Sequence, residues 1–262
     1  MTLLSILVTL GSAIGNAADN ADITGSIATF NQHAVFGLPT LSADDLADLQ
    51  RGEVIKRLLP NQNGNLQVVG MMVSKLPMQQ VWLASQDPHF MSPGSATEAR
   101  LSVQGDKAVW YGFLDLPMPF SDRHWVVDSW NNHTLAQVTD NQMWEHPWTL
   151  DDDGLPLARP TVEAGAVAGL TLRTFERAIF TPVNHGALVF IGLNEGETLL
   201  SYHATSVIGG NIPERLAAEF IRSGLDKLLR RIDRIAREEV RSHYTARHPV
   251  LLGGDGQPVP HY

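Results

Sequence analysis

From Gly209 to Tyr244 the chain carries an unbroken helical period, the longest in the sequence. Gly209-Gly210 supplies a turn, Asn211 is read as the N-cap with Glu214 three residues on, and Pro213 falls in the first turn, where a missing N–H costs nothing. Leu216, Phe220/Ile221, Leu225, Leu228/Leu229, Ile232, Ile235/Ala236 and Val240 then recur every three or four residues, with Arg222, Lys227, Arg230, Arg231, Arg234 and Arg237 between them. At 1.5 Å per residue such a helix is on the order of 45 Å long. One face of it must lie across a broad apolar surface, and the strands upstream point to a curved antiparallel sheet.

The chain has 262 residues, 44% of them hydrophobic, which is enough for one substantial core. Its formal net charge is −9, yet 211–244 holds eight Lys/Arg against six Asp/Glu, leaving eleven basic and twenty-two acidic residues elsewhere. An acidic body offers no footprint for phosphate backbones, so nucleic acid is not expected as a partner and membrane contact is at most transient. The basic helix face is read as a solvated face laced with i,i+4 pairs such as Asp226 with Arg230. No cysteine is present, which excludes disulfides, thiolate nucleophiles and Cys-based metal sites.

Residues 1–18 (MTLLSILVTLGSAIGNAA) contain an apolar run from Leu3 to Ile14 followed by small residues. The pattern suits a secretory signal cleaved near Ala17 or Ala18, although no Lys or Arg precedes it, so the mature protein is expected to be periplasmic or secreted, with a cytoplasmic protein as the alternative. Residues 19–40 read as a lead-in outside the core, with at most a short strand at Ile27 to Phe30. Leu41 to Gly52 is a short helix capped by Ser42. Val54–Leu59 and Leu66–Ser74 form a hairpin about Asn61–Gly64, and Pro77 opens another helix that ends before Asp87-Pro88.

Glu98–Val103, Lys107–Leu114, Arg123–Trp130 and Thr134–Thr139 read as an antiparallel meander, followed by a Trp-rich strand over Asn141–Leu150. Asp151–Gly154 and the prolines at 156 and 160 mark a loop. Glu163–Phe180 reads as helix by its alanines or as strand by Leu170–Leu172. Gly186–Leu193 and Glu197–Ser206 flank Asn194-Glu-Gly196 as the last hairpin, and the Gly/Pro-rich 245–262 reads as a loose tail. The whole is one α+β domain over 41–244, with helices on one side of the sheet.

Two segments carry a family resemblance. Leu116-Pro-Met-Pro-Phe-Ser-Asp-Arg-His-Trp-Val-Val127 resembles the START pattern of a proline-rich turn, an Asp-Arg-Asp/His step and an aromatic strand. Gly196-Glu-Thr-Leu-Leu-Ser-Tyr202, followed by Gly209-Gly210-Asn-Ile-Pro213 and the long helix, is similar to the last strand, turn and terminal helix of the same START-like, helix-grip (SRPBCC) superfamily. The resemblance implies a bacterial member of that superfamily with a helix-grip fold: a curved antiparallel sheet around the C-terminal helix, enclosing an apolar cavity. It further implies binding, and transport, of a lipid or other hydrophobic small molecule without a cofactor. A cyclase- or hydratase-type enzyme using the same cavity is the alternative.

Ten histidines are present but none falls in HExxH, and the acids beside His124 and His146, Asp122 and Glu145, come without a second histidine at helical spacing, so no metal site is expected. No GxSxG or P-loop pattern occurs. The candidate cavity residues are Trp110, Arg123, Trp125, Tyr202, His203 and, on the helix, Leu216, Phe220 and Leu228. Strand alternation lets only one of His124/Trp125 and one of Tyr202/His203 face inward. Each has a structural reading as well: Arg123 as a turn anchor, Tyr202 as a core residue, Trp144 and Trp148 as packing. His203 is the candidate acid or base in the enzymatic alternative.

Overall fold

The structure, a computed structural model, describes residues 23–60, 65–90, 96–118, 120–207, 209–210, 212–244 and 251–259. The apolar leader at 1–18, the turn at 61–64 and the Asn211 cap lie outside the described residues. The remaining segments build a nine-stranded sheet between helices on both faces, rather than on the single face expected from sequence.

The first described element, α1 (residues 23–33), corrects the reading of 19–40 as a lead-in with a short strand. Ile23, Ile27 and Phe30 share one face of this helix and are buried in the core. The chain then passes through α2 (Ala43–Gln50), capped by Ser42 as expected, and Asp45 closes that cap into a reciprocal capping box. Strands β1 (Ile55–Pro60) and β2 (Leu66–Ser74) pair as the expected hairpin, and α3 (Met78–Gln86) follows Pro77.

Strands β3 (Ala96–Gln104), β4 (Lys107–Leu114) and β5 (Arg123–Ser129) form the meander. The fourth segment expected to continue it, Thr134–Thr139, is instead helix α4 (His133–Val138). Asn132 caps it by accepting a hydrogen bond from the Leu135 N–H at 3.1 Å, and burial of Leu135 and Ala136 anchors the turn. The Trp-rich strand is β6 (Met143–Leu150).

The proline-containing stretch expected as a loop is helix α5 (Leu155–Glu163). Pro156 occupies its first turn, and Ala158 and Val162, four residues apart, bury one face. The segment left open from Glu163 to Phe180 resolves into the end of α5, helix α6 (Leu172–Arg177) and the two-residue strand β7 (Ile179–Phe180), parallel to β5. The last hairpin is β8 (Val183–Asn194) and β9 (Glu197–Val207). The sheet order is β1-β2-β9-β8-β6-β5-β4-β3, antiparallel along this path.

The terminal helix α7 (Glu214–Ile235) starts after Pro213, which stands at the N-cap itself instead of inside the first turn. It continues through a π-helical turn, Ala236–Val240, into a final turn at Arg241–His243. The Ala236 carbonyl receives the Gln80 side-chain N–H at 2.5 Å, so the widened turn leaves this group bonded. Helix α7 crosses β2 at Gly70, where a Cβ would come within 2.9 Å of Leu225 and 3.2 Å of Leu229. Leu229, Ile232, Ile235, Ala236 and Val240 join Trp82, Trp144, Phe190 and Leu200 in one core. On the opposite side Arg222–Glu219, Arg230–Asp226, Arg234–Glu238 and Arg237–Asp233 pair within the helix, as the charge pattern anticipates.

The tail departs from the loose segment read from its composition. Between 251 and 259 it forms a small bridge, Leu252 with Pro258, and lies across Trp82 and Trp144. The Trp82 indole N–H donates to the Leu252 carbonyl at 3.0 Å, the Asn131 side chain donates to the Gly253 carbonyl at 2.8 Å, and Val259 is buried. Its glycines allow the approach, because a Cβ on Gly254 would come within 2.3 Å of the Trp144 ring. Ending the chain at Tyr244 is therefore expected to lower unfolding free energy by about 2 kcal/mol or more and to red-shift tryptophan emission. Unchanged urea midpoint and emission would show that the segment contributes no packing.

Candidate functional site: an aromatic hollow on the inner face

Alternation along each strand divides the sheet into an inner face, which takes α3 and α7, and an outer face, which takes α1, α2, α5 and α6. Cross-strand register places Glu98, Gly112 and Trp125 in one inner row over β3, β4 and β5, and Trp148, Gly186 and Ala204 in another over β6, β8 and β9. Each row pairs a tryptophan with a glycine. A Cβ on Gly112 would fall 2.1 Å from the Trp125 ring, and one on Gly186 would fall 2.7 Å from the Trp148 ring. The missing side chains let each indole lie close against the neighbouring strand.

Helix α7 covers the β1-β2-β9 side of this inner face. Beside it, over β3 to β6, a hollow of about 160 Å³ remains, walled by the end of α3 at Ser85 and Gln86. Trp110, Trp125, Trp148 and Tyr202 line it together with Val127 and Leu188. Trp148 and Tyr202 rings sit 5.4 Å apart, and the Trp148 indole N–H donates to Asn184 Oδ1 at 3.1 Å. A second, wider cleft of about 460 Å³ shares Gln86, Trp110 and His146 with the hollow and reaches Leu251 and Leu252 of the tail.

Three polar groups of the hollow have distinct states. Glu98 is an exposed residue of the edge strand β3 at the rim of the hollow, and the protein around its carboxyl raises its pKa by desolvation. Burial chiefly, with the nearby Glu98 charge, raises the Tyr202 pKa and keeps the phenol protonated. Burial lowers the His146 pKa to about 4, against the opposing influence of Asp106. His146 Nδ1 lies 2.8 Å from Asn131 Oδ1, so the neutral ring donates from Nδ1 and leaves Nε2 as an acceptor.

The sequence-derived candidates separate in space. Trp110, Trp125 and Tyr202 line the hollow. His203, on the same strand as Tyr202, points to the outer face, buried beside Phe36 and His185. Arg123 is buried and donates to the carbonyls of Ser121, Asp122 and Gly209 at 2.5, 3.2 and 2.8 Å, the anchoring role weighed for it. It thereby joins the Asp122-Arg123-His124 step to the glycine turn before α7, the two segments that carry the family resemblance. Of Tyr202, His203 and Arg123, only Tyr202 lines the hollow, so His203, the candidate acid or base, does not reach it.

The helix residues expected to wall the cavity also move. Leu216 and Phe220 are 53% and 48% exposed, while Leu228 packs beside Val68, Ala218 and Leu225; none lines the hollow. Where α7 crosses β2, Leu225 and Leu229 pack directly on Gly70. The sequence reading missed Glu98, Asn184 and Leu188. Gly112 inside a strand, opposite a tryptophan, was the available signal.

No protein-family model matches the chain, and no curated protein matches it by sequence. Solved structures do. A STAR-related lipid transfer protein from Xanthomonas axonopodis superposes with a TM-score of 0.51 at 17% identity, covering 71% of this chain and 93% of that one. The human StAR-related lipid transfer protein 5 gives 0.53 at 11% identity, covering 84% and 98%. With its curved sheet gripping a long terminal helix, the chain has the START-like, helix-grip fold.

Proposed function

We propose that the protein binds a hydrophobic small molecule of lipid class in the hollow between β3–β6 and α3, with the adjoining cleft holding the rest of the ligand. The observation that carries this reading is the convergence of Trp110, Trp125, Trp148 and Tyr202 on one partly open space within a packed fold. Desolvating four large rings rewards an apolar guest, and the glycines opposite two of them preserve the room. The fold shared with lipid transfer proteins supports the same reading, and transport between membranes is its extension. Export to the periplasm or outside the cell is proposed from the apolar run in 1–18, with N-terminal sequencing of the mature protein as its check.

Native mass spectrometry of the purified protein, followed by titration with a panel of lipids and single-chain amphiphiles, tests the reading. At least one apolar ligand should co-purify or bind in the micromolar range. Leu188→Trp, which adds bulk to the wall of the hollow, should weaken that binding about tenfold or more, a difference of roughly 1.4 kcal/mol. Absence of any bound or titratable ligand, or full affinity in the Leu188→Trp variant, overturns the assignment.

A further inference from the structure

The hollow contains one group that an apolar pocket does not need. Among the described residues that line it, Glu98 is the one carboxylate and none is Lys or Arg. Among the described residues no hydrogen bond or ion pair engages that carboxylate. The nearest basic residue along β3, Arg100, holds its guanidinium 5.8 Å over the Trp110 ring. The other titratable groups among the described lining residues offer no cation either: His146 is neutral above a pH of about 4, and Tyr111 and Tyr202 are uncharged phenols.

Around this carboxylate stand aromatic faces. Trp125 lies against Gly112, the cross-strand partner of Glu98, so indole and carboxylate occupy neighbouring places in one row. Trp110 sits on the adjacent row, and the Trp148–Tyr202 pair closes the far side. Aromatic faces carry negative quadrupole potential, and an unpaired carboxylate beside them adds a formal negative charge. Both attract the same kind of guest. A neutral lipid tail would leave the carboxylate desolvated without a partner, and an anionic headgroup would be repelled.

We propose that the hollow takes an apolar molecule bearing an ammonium group, primary or quaternary, seated against the Glu98 carboxylate and the rings of Trp110, Trp125, Trp148 and Tyr202. This deepens the hydrophobic-ligand reading and rests on it. The ammonium supplies the counter-charge that Glu98 lacks, while the apolar body runs along Trp82, Leu251 and Leu252 in the adjoining cleft, whose other walls carry Asp87, Arg100, Asp106 and Lys107. The raised carboxyl pKa has a corollary: an ammonium holds Glu98 ionised, so ammonium binding weakens as pH falls and the carboxyl protonates.

Calorimetric titration with four twelve-carbon probes below their micelle concentrations tests the proposal: dodecylammonium, dodecyltrimethylammonium, dodecanol and dodecanoate. At least one ammonium probe should bind about tenfold or more tighter than dodecanol, with dodecanoate weakest. Preference for the quaternary probe shows that the rings add to the charge contact, and preference for the primary amine shows direct hydrogen bonding to Glu98; either supports the proposal when the advantage falls in Glu98→Gln. In Glu98→Gln the advantage over dodecanol should shrink to roughly threefold or less. Equal binding of ammonium probes and dodecanol, dodecanoate as the tightest ligand, or an advantage that survives Glu98→Gln overturns it. If dodecanol binds without any ammonium advantage, only this proposal fails; if no probe binds, the hydrophobic-ligand reading fails with it.

Discussion

Glu145→Ala is expected to lower the unfolding free energy by about 3 kcal/mol, although the residue lies on the face opposite the hollow. Its carboxylate is fully buried and accepts the backbone N–H of Val35 at 2.8 Å, that of Phe36 at 3.0 Å and the Asn132 side-chain amide at 2.7 Å. These bonds fasten the chain between α1 and α2 to β6 and to the cap of α4. Burial raises the carboxyl pKa, opposed by the bonds from Asn132, Val35 and Phe36. Removing the side chain strands its donors and leaves a cavity. Glu145→Gln keeps the volume and one acceptor oxygen, so its loss should be about half as large. Urea denaturation of the three proteins measures the difference, and proteolysis within residues 34–41 should accelerate in the alanine variant. Equal stability of wild type and Glu145→Ala would show that the three bonds contribute nothing net.

Replacing His203 by leucine should work in the other direction and raise stability by about 1–2 kcal/mol at neutral pH. The imidazole is completely buried, and among the described residues neither ring nitrogen has a hydrogen-bond partner. Burial, together with the neighbouring His185, lowers its pKa to about 4. His124, buried beneath Tyr111, Phe175 and Phe180, is likewise held at about 4 by desolvation. Both folded-state values lie below the ordinary 6.5, so the unfolded chain binds protons more readily. Stability is thus fully present above pH 6.5 and falls as pH drops toward 4, by up to ~1.4 kcal/mol per pH unit for each histidine. His203→Leu should remove one of these contributions and flatten the acid limb of a plot of urea midpoint against pH. A variant that is less stable at pH 7.5 and keeps the full slope would show that the imidazole is well accommodated and titrates normally.

These two sites expose a common gap in reading the chain as sequence. The pair Tyr202/His203 and the pair His124/Trp125 each oblige one member to face inward, but alternation does not say which. Pairing of β9 with β2 and β8 decides the first, and Trp125 lying against Gly112 decides the second. A one-residue slip would bring His203 to the hollow and restore the acid–base reading. Glu98 escaped notice for the same reason: a single glutamate in an alternating strand carries no signal until register places it in one row with Gly112 and Trp125 at the rim of the hollow.

Short helices were hidden by a different cause. The segments of α1, α4 and α5 have weak local signals, because Asn, Thr and Pro dominate where the helices begin or bend. They form because Phe30, Leu135 and Val162 are buried against the outer face, contacts that only the assembled sheet provides. The tail was misread likewise. Glycine and proline suggested looseness, whereas at Gly253 and Gly254 the lack of a side chain is what lets the backbone reach Trp144.

The long amphipathic period after Pro213, the hairpins around Asn-Gly turns and the resemblance of the Asp-Arg-His and Gly-Gly segments determined the helix-grip architecture, because these signals are local and repeat over many residues. Only the tertiary structure decided where the empty space lies. Helix α7 packs directly on Gly70 and leaves its first apolar residues, Leu216 and Phe220, half exposed, while the hollow opens farther along the sheet. Close packing depends on the fit of side chains many residues apart in sequence, and neither periodicity nor composition encodes that fit residue by residue.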